Sequence, residues 1–250
     1  MNKTVLITGA TSGIGKATAS LLAQKQYNII ICGRRMEALN ELYQELSVLT
    51  TVHMLCFDVS DKAMVFEKIE SLPSEFSTID VLINNAGNAH GLDSIQDGNT
   101  DDWDKMIDSN VKGLLYVSKA IIPQMVARKL GHIIHIGSTA GKEVYPNGNV
   151  YCATKHAVDA LNQAMRMDLN PFNIRVGAIH PGMVETTFSA VRFKGDEERA
   201  ANVYKGFDAL QAEDIADIIQ FVISRPYHVN IADLVVMSTA QASATIVNRE

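Results

Sequence analysis

The chain has 250 residues and 47% hydrophobic content, the size and core composition of one α/β domain. Its net charge of −6, with no Lys/Arg cluster beyond a local pair, excludes the footprint of a nucleic-acid binder. Three scattered cysteines, Cys32, Cys56 and Cys152, without a CxxC, argue against disulfides and zinc and suit a reducing cytoplasm.

Thr4 opens an apolar strand with no leader before it, and the late uncharged run 234–248 is too short and too polar to span a bilayer, so a soluble, unprocessed protein is expected. Runs rich in β-branched residues recur at 4–8, 28–32, 51–57, 80–84, 132–137, 173–179 and 233–237, with helical segments between most of them. Continuous apolar strands alternating with helices predict a doubly wound parallel sheet of seven strands, Rossmann-like, with helices on both faces and a single domain over 1–250. The charged, weakly periodic interval at about 183–211 reads as an insertion, a lid over a site.

The first strand runs into TGATSGIG, residues 8–15. Gly9, Gly13 and Gly15, with Thr11, Ser12 and Ile14, form a strand-to-helix turn whose backbone admits a pyrophosphate at a helix N-terminus. The spacing departs from GxGxxG, so a turn selected for packing alone is the competing reading. The second strand ends in Gly33, Arg34 and Arg35 with no carboxylate for a ribose 2′-hydroxyl, and two guanidiniums suit a 2′-phosphate. NADP(H) is therefore expected over NAD(H), unless both arginines are merely solvated.

Farther on, NVYCATKHAV places Tyr151 four residues before Lys155 on a predicted helix over 150–169, side by side on one face. A neighbouring cation favours a phenolate, and such a tyrosine becomes a general acid/base. Alone, YxxxK is more often a chance pair, Ser138 a turn residue and Asn110 a structural amide. Cys152 reads as filler. His90, His132, His135, His156 and His180 show no metal-ligand spacing with nearby acids, and no metal is expected.

The ordered set TGATSGIG, NNAG (84–87), SNVKG with Asn110, IGSTAG with Ser138, the Tyr151–Lys155 pair and PG at Pro181–Gly182 resembles the short-chain dehydrogenase/reductase family over essentially the whole chain. DWDKMIDSNVKG, GSTAGKEVYPNGNVYCATK, FSAVRFKGD and HVNI look like its NADP-dependent 3-hydroxy acid (serine) dehydrogenase subgroup. The resemblance implies proton exchange by Tyr151, a hydrogen bond from Ser138 to the same substrate oxygen, Lys155 lowering the Tyr151 pKa and holding the nicotinamide ribose, and Asn110 ordering a relay water. It also implies adenine contacts at Asp58 and Val59, cofactor contacts at Asn84, Ala86 and Gly87, a nicotinamide segment at Pro181, Gly182, Val184 and Thr186, and a homotetramer.

The expected reaction is hydride transfer between NADP(H) and a small 3-hydroxy acid or its semialdehyde or keto form, such as serine, allo-threonine or 3-hydroxypropionate. Alternatives are a reductase of other small carbonyls and an NADP-binding regulator without turnover. Arg192 is the candidate clamp for a substrate carboxylate. Pairing with Asp196, Glu197 or Glu198, or with another subunit, is its competing role.

Overall fold

A computed structural model describes residues 2–250. The chain alternates strand and helix as β1 (Thr4–Ile7), α1 (Gly13–Gln24), β2 (Asn28–Gly33), α2 (Met36–Ser47), β3 (Val52–Cys56), α3 (Lys62–Glu70) and β4 (Val81–Asn84). It continues through α4 (Thr100–Ile107), α5 (Leu114–Arg128), β5 (Gly131–Ile136), α6 (Asn149–Leu169) and β6 (Ile174–Pro181). Then come β7 (Val184–Glu185), α7 (Phe188–Arg192), α8 (Glu197–Asn202), β8 (Leu210–Gln211), α9 (Ala212–Ser224) and β9 (Asp233–Val236).

All seven expected strands are present, parallel, in the order β3-β2-β1-β4-β5-β6-β9. Alternation sends Val5, Ile7, Ile29 and Ile31 to the face covered by α1, α2 and α9, where Leu22, Leu42 and Ile219 are buried. Leu6, Ile30 and Leu82 face α3, α5 and α6 and meet Val65, Ile121 and Val158. Burial on both faces is why these strands read as unbroken apolar runs. The order reverses between β1 and β4, and the crevice beyond their carboxyl ends is where such a sheet accepts ligands.

Between α4 and α5 lies a π-helical turn over Asp108–Gly113 that carries Asn110. This widened turn joins α4 directly to α5 and offsets what would otherwise be one continuous helix. The interval 183–211 contains α7, α8 and a small β7–β8 ladder. The C-terminal tail lies over it: Gln241 Oε1 accepts from the Met183 N–H at 2.9 Å, Arg249 stacks 4.9 Å from the Phe207 ring centroid, and the Ala244 N–H donates to Glu143 at 2.9 Å. No helix among the described residues is long and apolar enough to cross a membrane.

Candidate active site

A cavity of about 530 Å³ occupies the crevice. Gly9, Thr11, Ser12, Gly13 and Ile14 line it at one end, and Ser138, Tyr151 and Lys155 line it at the other. Gly9 sits at φ +63, a conformation a side chain disfavours, and a methyl group at Gly15 would collide with the Gly9 carbonyl. Gly15 thus serves the turn from behind without lining the cavity. Ser12 caps α1 with no side-chain hydrogen bond, so the first N–H groups of a 12-residue helix point to the cavity without that partner.

Beside this turn, Arg34 and Arg35 line the cavity where β2 ends. Arg34 lies 3.4 Å from Asp58, and Arg35 donates to Thr11 Oγ1 at 3.2 Å. Burial raises the Asp58 pKa, but the Ser60 N–H and hydroxyl and Arg34 outweigh it, leaving the carboxyl below its ordinary value. Val59, Ala86 and Gly87 also line this wall.

Asn84 does not. Its side chain is buried between β4, β5 and α5, with Nδ2 2.9 Å from Ser118 Oγ and 3.2 Å from His135 Nδ1. The wall position belongs to Asn85, whose Nδ2 donates to the Thr8 and Gly9 carbonyls at 2.9 and 3.1 Å and ties down the glycine turn. Neighbouring strand residues point to opposite sides, so one position in NNAG decides between core and cavity.

Tyr151 and Lys155 lie on α6 as expected, both buried. Lys155 Nζ donates to the Ile136 carbonyl at 2.9 Å and stands 6.0 Å from the Tyr151 ring centroid. Burial lowers the Lys155 pKa to about 8. The expected lowering of the Tyr151 pKa does not prevail: burial, with Tyr145 adding to it, raises the phenol above its ordinary value, against the Ser138 hydrogen bond and Arg192. Taking the ring out of water disfavours the phenolate, and at this separation Lys155 does not offset the cost.

Ser138 follows β5 and caps a short turn, its Oγ accepting from the Ala140 N–H at 3.1 Å. That leaves the hydroxyl proton available to a substrate oxygen or to Tyr151. Asn110 stands behind the cavity wall. Its Oδ1 accepts from the Asn88 N–H at 2.8 Å, and its Nδ2 donates to the Asn88 carbonyl at 2.8 Å and to Thr154 Oγ1 at 3.1 Å. The side chain is thereby used in fixing the Gly87–Asn88 segment against α6.

Arg192, on α7, reaches the cavity beside Tyr151. It donates to Tyr145 OH at 3.0 Å and to the Gly91 carbonyl at 3.2 Å, and its Cζ lies 5.5 Å from the ring centroids of both Tyr145 and Tyr151. Among the described residues its Nη2 is buried without a hydrogen-bond partner, and neither Asp196, Glu197 nor Glu198 pairs with it. Lys194 instead meets Asp102 at 2.7 Å. Pro181, Gly182, Val184 and Thr186 complete this wall, joined by Tyr145, Phe188, Tyr204 and Gln241, which sequence reading missed. Tyr145 and Phe188 lie inside quoted motifs, whereas Tyr204 and Gln241 had no local signal.

The structure also gathers His180, Asp159 and Asp233, from β6, α6 and β9, although their linear spacing suggests no cluster. The Lys142 ammonium bridges the two carboxylates at 2.9 and 2.6 Å, so their charge is met by an amine.

A dinucleotide fits this donor set: a glycine cradle at a helix N-terminus, two guanidiniums at one end, and a buried phenol, hydroxyl and ammonium at the other. The family model described as short chain dehydrogenase matches residues 3–197. A Schizosaccharomyces pombe protein named NADP-dependent 3-hydroxy acid dehydrogenase is 44% identical over 99% of this chain and 97% of its own. Its namesake YdfG from Escherichia coli strain K12 is 43% identical, over 96% of each chain. Among solved structures, a closed form of serine dehydrogenase complexed with NADP+ superposes with a TM-score of 0.93 at 43% identity, over 99% of this chain and 100% of the other. The chain belongs to the short-chain dehydrogenase family.

Proposed function

We propose that this short-chain dehydrogenase moves a hydride between NADP(H) and a small 3-hydroxy acid or the corresponding semialdehyde or keto acid. The observation that carries the substrate class is Arg192. A guanidinium with a buried, unpartnered N–H group beside Tyr151, free of any protein carboxylate, is a receptor for an anionic substrate group. The names of the relatives agree with that chemistry.

Bound NADP(H) supplies the hydride chemistry, and the chain supplies orientation and proton transfer. Arg34 and Arg35 read the 2′-phosphate, the N-terminus of α1 faces the pyrophosphate, and Asp58 and Val59 border the adenine. Pro181, Gly182, Val184 and Thr186 border the nicotinamide. Tyr151 gives a proton to the substrate oxygen during reduction and takes it during oxidation, while Ser138 donates a hydrogen bond to the same oxygen. Lys155 holds positive charge beside the phenol and the ribose, and Asn110 keeps the Gly87–Asn88 segment in place for the proton path. The 183–211 segment acts as the lid that excludes water. Exposed Ile107, Leu115 and Met167 on α4, α5 and α6 support assembly into a homotetramer, and the three free thiols suit the cytoplasm.

The test follows NADPH absorbance with malonic semialdehyde and related carbonyls, and NADP+ reduction with serine, allo-threonine and 3-hydroxypropionate. Arg192→Leu is expected to raise KM for the hydroxy acid by roughly ten- to a hundredfold, corresponding to about 1.5–3 kcal/mol for a charged hydrogen bond. Turnover of a neutral alcohol of similar size is expected to change little. Parallel loss on both substrates would assign Arg192 to folding of the lid, and no loss on either would remove it from the site.

A further inference from the structure

His180 is the penultimate residue of β6, just before Pro181 and Gly182, and no role assigned above uses its side chain. The ring is wholly buried, and both nitrogens face oxygens. Nδ1 is within hydrogen-bond reach of the Ser138 carbonyl at 3.3 Å, whereas Nε2 lies 2.9 Å from one Asp233 oxygen and 3.6 Å from Asp159 without a hydrogen bond among the described residues. Ser138 is thus gripped twice through its carbonyl, because the Gly141 N–H donates to the same oxygen at 2.8 Å. The ring also presses on the peptide just ahead: a methyl group at Gly137 would collide with Nδ1.

We propose that His180 is a positioning residue for the reaction, its Nδ1–H donating to the Ser138 carbonyl while Asp159, Asp233 and Lys142 wall in the Nε2 side of the ring, so that the Ser138 hydroxyl stays aimed at the reacting oxygen. The brace links four parts of the fold that bear on the chemistry. Asp159 lies one helical turn beyond Lys155 on α6, Lys142 closes the turn that begins at Ser138, Asp233 belongs to β9, and His180 leads into the nicotinamide wall. When both ring nitrogens carry protons, His180 and Lys142 balance Asp159 and Asp233 and the cluster is neutral. Burial and the Lys142 ammonium oppose the second proton and outweigh Asp233, Asp159 and the Ser138 carbonyl, leaving the ring below its ordinary pKa; His135 on β5 is a further titratable neighbour. A cluster of this kind sets geometry more than it adds stability. A displacement of a few tenths of an ångström in a hydroxyl that touches the reacting atoms is felt in kcat.

The inference rests on reading Ser138 as the residue that holds the reacting oxygen, and the experiment separates the two. The side-chain amide of asparagine reaches the place of Nδ1, and that of glutamine reaches the place of Nε2. His180→Asn therefore keeps the donor to Ser138, while His180→Gln reaches only the carboxylate side. With Ser138→Ala as reference, kcat, KM, NADPH Kd and Tm are measured for each variant with 3-hydroxypropionate. We expect His180→Gln to lose about tenfold or more in kcat with NADPH Kd held within about twofold, and His180→Asn to recover most of that loss, as removal of an orienting contact does. Asp233→Asn, at a half-exposed position, is expected to lower kcat by a smaller factor with KM unchanged. Equal kcat for the Asn and Gln variants, or losses that track Tm alone, would overturn the brace. Full turnover by Ser138→Ala would overturn the reading of Ser138 beneath it.

Discussion

The two ends of the cavity hold charge under opposite conditions. At the proposed adenine end, Arg34 has 66% of its side chain exposed and meets an Asp58 that is 38% exposed, so the pair is solvated and screened. At the reacting end, Tyr151 and Lys155 are buried, and Arg192 keeps a buried N–H group without a partner. Charge at the open end selects a ligand and perturbs the protein little, whereas charge at the closed end shifts protonation equilibria and destabilises the empty fold. Recognition and catalysis are thus separated by solvent as much as by distance.

The largest effect that sharpens this contrast belongs to Tyr151→Phe. Losing the proton donor while keeping the ring is expected to lower kcat by about a hundred- to ten-thousandfold. NADPH binding, followed by fluorescence titration, is expected to stay within a few-fold. Retained turnover above a few per cent would place the proton chemistry elsewhere.

Lys155→Met tests the cost of the buried charge. The folded-state pKa of Lys155 is about 8, against 10.5 for the free side chain, a difference worth about 3 kcal/mol. Below pH 8 the native state buries an ammonium that the unfolded chain leaves in water, and the penalty is fully present. Between about pH 8 and pH 10.5 the unfolded state binds more protons, so stability rises with pH and the penalty fades. The methionine variant is therefore expected to resist urea better than the parent at pH 7, by up to about 3 kcal/mol, while losing turnover. The stability gap is expected to close as pH approaches 10.5. A gap that ignores pH would mean that the ammonium is hydrated.

The smallest effect is expected at the open end. Replacing Arg34 and Arg35 by neutral residues is expected to weaken NADPH relative to NADH by about ten- to thirtyfold, toward the lower end for charged hydrogen bonds because both groups are exposed. Added salt is expected to shrink the difference. Equal weakening of both cofactors would remove the arginines from 2′-phosphate recognition.

This division also governs what the sequence discloses. The seven strands are legible because two-sided burial demands continuous apolar runs, and the glycine turn because a backbone approach excludes side chains. Tyr151, Lys155, Ser138 and Arg192, which the sequence motifs single out, line one cavity. The π-helical turn at Asp108–Gly113 has no such signature, since it arises from a local shift in hydrogen bonding. Asn84 and Asn85 differ only in which side of β4 they face, a choice made by the packing of Ser118 and His135 against the sheet. The upward pKa of Tyr151 and the His180 cluster depend on elements far apart in the chain, and no spacing rule within one segment reaches them.

The C-terminal tail gives this architecture a temporal order during synthesis. The phosphate turn needs Asn85, which reaches the Thr8 and Gly9 carbonyls across 77 and 76 residues, whereas Gln241, part of the opposite wall, meets Met183 and Ala244 meets Glu143 only once residues beyond 240 have been made. Contacts of such long separation form late, after local helices and the first strand pairs. A nascent chain can therefore complete the turn and its Asn85 tie once the first half of the sheet is made, before Gln241 and Ala244 can meet Met183 and Glu143.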